Sequence, residues 1–378
     1  MTFAFTPEQE AMRRTVRDFA AKEMAPHVDE WEAEAIFPRP LFAKMGELGL
    51  AGMLCPEEYG GSNLDRVTVA IVGEEIGRVF RSASFIFVHN MVLSYVVTHD
   101  TEEQKQRWAV PMARGEKLGA FALTEPSAGS DAAAITTRAV REGDYYVIDG
   151  DKRFISNADS ADVISVAAKT DPTQGARGVS IIVVERGTPG YSVPKIEHKM
   201  AMHASHACDV VFEGCRVPRA NLLAGEGDGF KVLMGALDGG RINVAATAIG
   251  GAQGAFDAAL RYAKERVQFG RPIAEFQAIQ FMLADMATEI EAARLLTYSA
   301  AAMMDQGRRA TLQAAMAKRY ATDMAMRVTV DAVQVFGGYG YIQEYKVERY
   351  MREAKLGQIV EGTNQIQRII IARELLKG

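Results

Sequence analysis

The hydrophobic period changes twice along this 378-residue chain, from helical to alternating and back. Each change forces a change of layer, because an apolar face written at 3.6 residues per turn cannot sit as one face of a strand. From residue 6 to about 115 the pattern is helical. Thr6, Pro7 and Gln9 read as a capping box with proline at the first helical position, followed by Met12, Val16 and Phe19 on one face. Thr101 and Gln104 repeat that spacing ahead of Trp108, and the apolar stretches 67–79 and 85–97 are long enough for buried helices. After Leu118 short apolar runs take over: Tyr145-Tyr146-Val147-Ile148, Val163-Ile164-Ser165-Val166, residues 179–184 and Val210-Val211-Phe212. These read as strands, with Glu142-Gly143-Asp144 and Asp149-Gly150 as hairpin-type turns. From about Asp228 the helical period returns in four long candidates near 228–265, 275–306, 309–336 and 345–376. The expectation is a mainly α fold with a central β domain. An N-terminal helical domain covers 1–117, an antiparallel, barrel-like β domain 118–224, and a C-terminal four-helix bundle 225–378.

Composition narrows the function classes. With 48% apolar and 24% charged residues the chain can bury a large core, and its longest aliphatic run, Ile181-Ile182-Val183-Val184, is too short for a membrane span. A net charge of -5 and the lack of any dense Lys/Arg block offer nucleic acid nothing to bind. Cys55, Cys208 and Cys215 are too few and too scattered for a disulfide framework, which fits a reducing compartment. The opening Met1-Thr2-Phe3-Ala4-Phe5-Thr6-Pro7 has neither a signal-peptide nor a transit-peptide pattern. The cytoplasm is therefore expected, or the mitochondrial matrix for a processed organellar chain.

Two segments carry candidate chemistry. Ile359-Val360-Glu361-Gly362-Thr363-Asn364-Gln365-Ile366-Gln367 sets a carboxylate after two apolar residues, ahead of a run of hydrogen-bonding side chains and beside a glycine that lets a ligand approach the backbone. A carboxylate in a dry pocket has a raised pKa and can act as a base near neutral pH. On the residues alone, the same Glu361 reads more readily as a cap of a helix beginning near Thr363 or as a residue on that helix's exposed face. The segment Phe121-Ala122-Leu123-Thr124-Glu125-Pro126-Ser127-Ala128-Gly129-Ser130-Asp131 is rich in hydroxyls and small residues around a proline. It suits a loop around the polar edge of a cofactor, or an ordinary strand-exit turn.

Together with Phe154-Ile155-Ser156-Asn157, and in this order and separation, these segments resemble the acyl-CoA dehydrogenase family of flavoenzymes. The resemblance extends over almost the whole chain. It implies FAD as cofactor and alpha,beta-dehydrogenation of an acyl-CoA, in which Glu361 takes the alpha proton and the beta hydrogen leaves as hydride to the flavin N5. The thioester carbonyl would be polarised by a flavin ribityl hydroxyl and the Glu361 backbone N–H. Some members, such as isovaleryl-CoA dehydrogenase, carry the base at the position of Gly240; glycine cannot serve, which leaves Glu361. Flavin contacts are implied for Phe121, Leu123, Thr124, Gly129, Ser130, Phe154, Ile155 and Ser156, with Thr363 and Gln365 beside the base. From the bundle of a neighbouring subunit the matching residues are Arg266, facing the pyrophosphate, then Phe269, Gln277, Gln334, Val335, Gly337 and Gly338. Ser130, Asp238, Arg241 and Gly362 match substrate contacts. On the residues alone, Arg241 could equally hold a structural salt bridge, and Gly337-Gly338 could be a helix C-cap. A shared site implies a homo-oligomer, most often a tetramer in the family, and the electron acceptor implied is an electron-transfer flavoprotein.

The chain departs from the family pattern in places. Phe154 stands where many members have tryptophan, Val360 where tyrosine is frequent, and Ala201 and His203 where glycine and arginine are common. Leu237-Asp238-Gly239-Gly240-Arg241-Ile242-Asn243 resembles the short-chain and isobutyryl-CoA branch, so a short or branched acyl group is expected. His203, His206 and Cys208 lack a second ligand pair, so no metal is expected. Gly225-Glu226-Gly227-Asp228-Gly229 has the wrong spacing for a dinucleotide fingerprint and reads as a glycine-rich helix entrance. An acyl-CoA oxidase handing electrons to oxygen, and a non-catalytic flavin or acyl-CoA binding protein, are the competing readings.

Overall fold

A computed structural model describes residues 4–377; the part of the leader reading that rests on Met1, Thr2 and Phe3 lies outside them. Helices α1 (Pro7–Phe19), α2 (Val28–Ala33), α3 (Arg39–Glu47), α4 (Arg66–Val79), α5 (Phe85–His99), α6 (Glu102–Gln104) and α7 (Val110–Ala113) come first. Strands β1 (Gly119–Ala122), β2 (Arg138–Glu142), β3 (Tyr145–Ser156), β4 (Val163–Lys169), β5 (Val179–Glu185), β6 (Tyr191–Ile196), β7 (Ala207–Pro218) and β8 (Leu222–Leu223) follow. The chain then runs through α8 (Gly229–Glu265), a ribbon of β9 (Val267–Gln268) and β10 (Arg271–Pro272), α9 (Gln277–Asp305), α10 (Thr311–Phe336), α11 (Val347–Gly357) and α12 (Asn364–Leu375). The fold is mainly helical with a central β region, as the two changes of period imply. Both capping boxes form, Thr6 with Gln9 and Thr101 with Gln104. Among the described residues no helix is long and apolar enough to cross a membrane.

Two compact units emerge. One comprises residues up to 28, 65–84 and 238 onward; the other comprises 29–64 and 85–237. The first is helical, and its core is built largely from alanines, among them Ala245, Ala252, Ala293 and Ala321. Such small side chains let helices approach closely. A Cβ on Gly250 of α8 would stand 2.0 Å from the Glu74 carbonyl oxygen of α4. Buried Glu74 is met by Arg294 and by the Tyr298 hydroxyl, each at 2.8 Å, which ties α4 to α9.

The second unit holds an eight-stranded sheet in the order β6-β7-β3-β2-β4-β5-β8, with β1 on β4. Antiparallel pairing dominates, while β1 runs parallel to β4 and β2 touches β4 in parallel at Arg138 and Lys169. Gly143, at φ 60°, turns β2 into β3. Asp149-Gly150, in contrast, is no turn: it lies inside β3 at a register shift against β7. Gly150 has φ 141°, and a Cβ there would lie 2.6 Å from Thr137 Oγ1, so the glycine serves a bulge and a close approach. The helix expected over 345–376 is also corrected. It breaks between Gly357 and Asn364, because Glu361 and Gly362 adopt φ of 53° and 84°, where a right-handed helix cannot continue.

Candidate active site

The break between α11 and α12 builds the site of the helical unit. Thr363 caps α12 by accepting from the Ile366 N–H at 3.3 Å, and the Asn364 N–H closes the connection onto the Gln358 carbonyl at 3.0 Å. Left-handed backbone at a non-glycine residue is unfavourable and persists only where surrounding contacts enforce it. Here they do. Gln367, fully buried, donates from Nε2 to the carbonyls of Glu361 (3.1 Å) and Gly362 (2.8 Å). Lys318, also fully buried, donates from Nζ to the Gly362 carbonyl (2.8 Å) and to Asn364 Oδ1 (3.0 Å).

This turn aims the Glu361 side chain at Gly240 of α8, where a Cβ would lie 2.9 Å from Oε2 and 3.1 Å from Cδ. The missing side chain of Gly240 is the space the carboxylate occupies. Glu361 Oε2 is out of solvent reach and accepts no hydrogen bond. Burial pushes the Glu361 carboxyl above its ordinary range, with Arg241 and then Lys318 pulling the other way. Arg241 is held by Asp238 at 2.7 Å, and the other Asp238 oxygen accepts from Thr311 at 2.6 Å. The salt-bridge alternative for Arg241 is thus realised, on the same helix turn that carries Gly240.

Elsewhere in the helical unit, Arg266 stacks over Tyr339, its guanidinium carbon 5.2 Å from the ring centre, which joins the 266–270 turn to the Gly337-Gly338 turn. Gln277, Gln334, Gly337, Gly338 and Gln365 are exposed, and Phe269 turns 93% of its surface to solvent. Val335 faces the core, so it could contact a cofactor only through its backbone.

In the other unit the loop after β1 is fixed from within. Glu125 accepts from the N–H groups of Thr136 (2.5 Å) and Thr137 (3.0 Å) and from Lys152 Nζ of β3 (2.8 Å), which also holds the Leu123 carbonyl at 3.1 Å. Both partners are buried, and this set of donors holds Glu125 down to about 2. Thr124 accepts from the Arg153 N–H, so the loop and the end of β3 are stitched side by side. Phe121 meets Tyr95 edge-on, Leu123 is half-buried, Ser130 is exposed, and Gly129 has no atom within 4 Å of where a Cβ would stand. Phe154, at φ 58°, presents its ring to solvent at 61% exposure, while Ile155 points into the core and Ser156 pairs with Ala207. Open space at Gly129 and the largely exposed Phe154 ring, with the Arg153 guanidinium carbon 5.6 Å from its centre, fit a flat, partly apolar cofactor such as a flavin. His203, His206 and Cys208 are engaged instead with Glu32, Lys199, Ala35 and Asp159.

Glu361 and Gly362 were legible in the sequence and Gln367 closed the same segment without a role of its own, whereas Lys318 and Lys152 were not singled out. Lys318 did leave a signal. It shares the helical spacing of Ala314, Ala321, Thr322 and Ala325, so a lone cation sat on a face of small, uncharged residues.

Models of the acyl-CoA dehydrogenase N-terminal, middle and C-terminal domains match residues 6–116, 120–215 and 227–376. The chain belongs to the acyl-CoA dehydrogenase family, whose members are FAD-dependent oxidoreductases. It is 45% identical over 379 residues, and over the full length of both chains, to a short-chain-specific acyl-CoA dehydrogenase of Clostridium acetobutylicum. Butyryl-CoA dehydrogenase from Megasphaera elsdenii superposes with a TM-score of 0.96 at 42% identity, covering all of each chain. A chain solved in work on the electron transferring flavoprotein of Acidaminococcus fermentans gives 0.97 at 49% identity, again over all of each chain.

Proposed function

We propose that the chain dehydrogenates a short or branched acyl-CoA, with Glu361 as the base that removes the alpha proton. The observation that carries this is the Glu361 carboxylate itself: one oxygen is dry and unpartnered, on a strained turn, with Gly240 cleared beneath it. A carboxylate that burial has made more basic gains most by taking a proton from a bound substrate. When bound, FAD supplies the acceptor for the beta hydrogen and its electron pair. The chain's own residues bind and orient. The Glu361 backbone N–H is assigned to the thioester carbonyl, and Gly362 leaves room for the acyl chain. Ser130 and the Asp238–Arg241 pair are assigned to the coenzyme A side. Phe121, Leu123, Thr124, Gly129, Ser130, Phe154 and Ser156 are assigned to the flavin, with Thr363 and Gln365 beside the base.

Arg266, Phe269, Gln277, Gln334, Gly337 and Gly338 are assigned to the flavin of a second copy, and the exposure of all but the half-buried Arg266 supports a homo-oligomer, a tetramer by family habit. The A. fermentans likeness favours an electron-transfer flavoprotein as acceptor. Three free thiols, all buried, fit the cytoplasm, and we retain domain limits near 117/118 and 224/225.

The test is anaerobic. Butyryl-CoA or isobutyryl-CoA should bleach the flavin band of the parent protein, whereas Glu361→Gln should keep its flavin and bind acyl-CoA without bleaching. A kcat/KM that climbs steadily toward C12 and longer acyl chains would reject the short-chain assignment, and loss of FAD in Glu361→Gln would make that residue structural.

A further inference from the structure

Lys318 lies on a buried face of α10 with Ala314, Ala321, Thr322 and Ala325, and none of its surface reaches solvent. Burying an ammonium is costly unless something recovers the lost hydration. Its two acceptors, the Gly362 carbonyl and Asn364 Oδ1, are neutral, and among the described residues no carboxylate pairs with it directly. A neutral donor would make those bonds. Gln367 already makes one of them, to the same Gly362 oxygen. What the ammonium adds is charge, placed behind the turn that carries Glu361.

We propose that Lys318 is a positioning residue for the catalytic base: it pins the carbonyl side of the Glu361–Gly362 turn and, by its charge, favours the carboxylate of Glu361 over the carboxylic acid. This rests on the assignment of Glu361 as base. The charged groups around Lys318 are Glu361 and Asp323, which favour its cation, and Arg241 and Arg81, which oppose it. Asp323 is occupied elsewhere, by Gln358, Asn364 and Arg368, which leaves Glu361 as the carboxylate free to respond. Burial holds Lys318 itself down to about 8, so it remains charged through neutral pH.

The test uses the full-length holoenzyme with Lys318→Gln, which keeps a donor and loses the charge, and Lys318→Met, which loses both. Flavin absorbance, melting temperature and the pH profile of kcat/KM with butyryl-CoA are recorded for each. Removing a cation makes the acid form of Glu361 easier to reach, so the acidic limb should move up by about one pH unit in both variants, a loss of about tenfold below the limb. Lys318→Met should in addition lower kcat at the plateau. A profile per bound flavin that matches the parent overturns the proposal, and so does failure of both variants to fold or retain flavin, which would assign Lys318 to bundle stability. The Glu361→Gln variant keeps the two readings apart: if it still reduces its flavin, the base assignment has failed whatever Lys318 does.

Discussion

Glu361 and Gly240 are better regarded as one feature than two. The residue pattern around Glu361 left a helix cap open, and the carboxylate was legible as a base through the resemblance of its segment to a known family. What the sequence could not convey was its direction, since the aim of the side chain depends on a left-handed φ enforced by Gln367 at the end of the segment and by Lys318 from another helix. Gly240→Ala tests the pairing. An added methyl would stand 2.9 Å from Glu361 Oε2, too close to be tolerated, so the carboxylate must swing away. Catalysis is sensitive to displacements on this scale, and kcat should fall on the order of 10- to 100-fold with flavin content and melting temperature close to the parent. A variant with parental kcat would show that the carboxylate works from another place.

At the scale of elements, hydrophobic period located the long helices and most of the longer strands, and it failed where local backbone geometry decided. The apolar pattern runs on from α11 into α12, so no change of period announced the turn between them. Asp149-Gly150 has the composition of a hairpin turn, but its flanks belong to one strand, and the glycine answers to Thr137 across the bulge. Strands as short as β1 and β8 carry too few residues to register a period at all. The β1 loop is held chiefly by the buried Glu125–Lys152 pair. Lys152→Met would leave a buried carboxylate without its cation and should cost ~3–5 kcal/mol, read as a drop in melting temperature. Adding Glu125→Gln to that variant should restore part of the loss; no restoration would mean that Lys152 acts through packing instead.

For the whole molecule, the net charge of -5 and the mixed composition set broad limits, while the surface adds how far the residues expected at a neighbouring subunit stand open. Phe269, at 93% exposure, and Tyr341, at 87%, are too apolar to be left uncovered without consequence. The parent protein should elute with a mass four times that of one chain by light scattering. Phe269→Asp should shift it toward smaller species and weaken flavin retention. A parent that is monomeric at micromolar concentration would remove the second-copy assignment for Arg266 and Gln277.

The left-handed turn at 361–362 also bears on how such a chain can drift over generations. Glycine enters that region of backbone space without strain, so exchange of Glu361 for glycine would leave the turn intact and empty the volume against Gly240. A side chain could then grow from α8 into the same volume. Two single-residue exchanges suffice to move a carboxylate from a loop to a helix while the fold around it stays as it is.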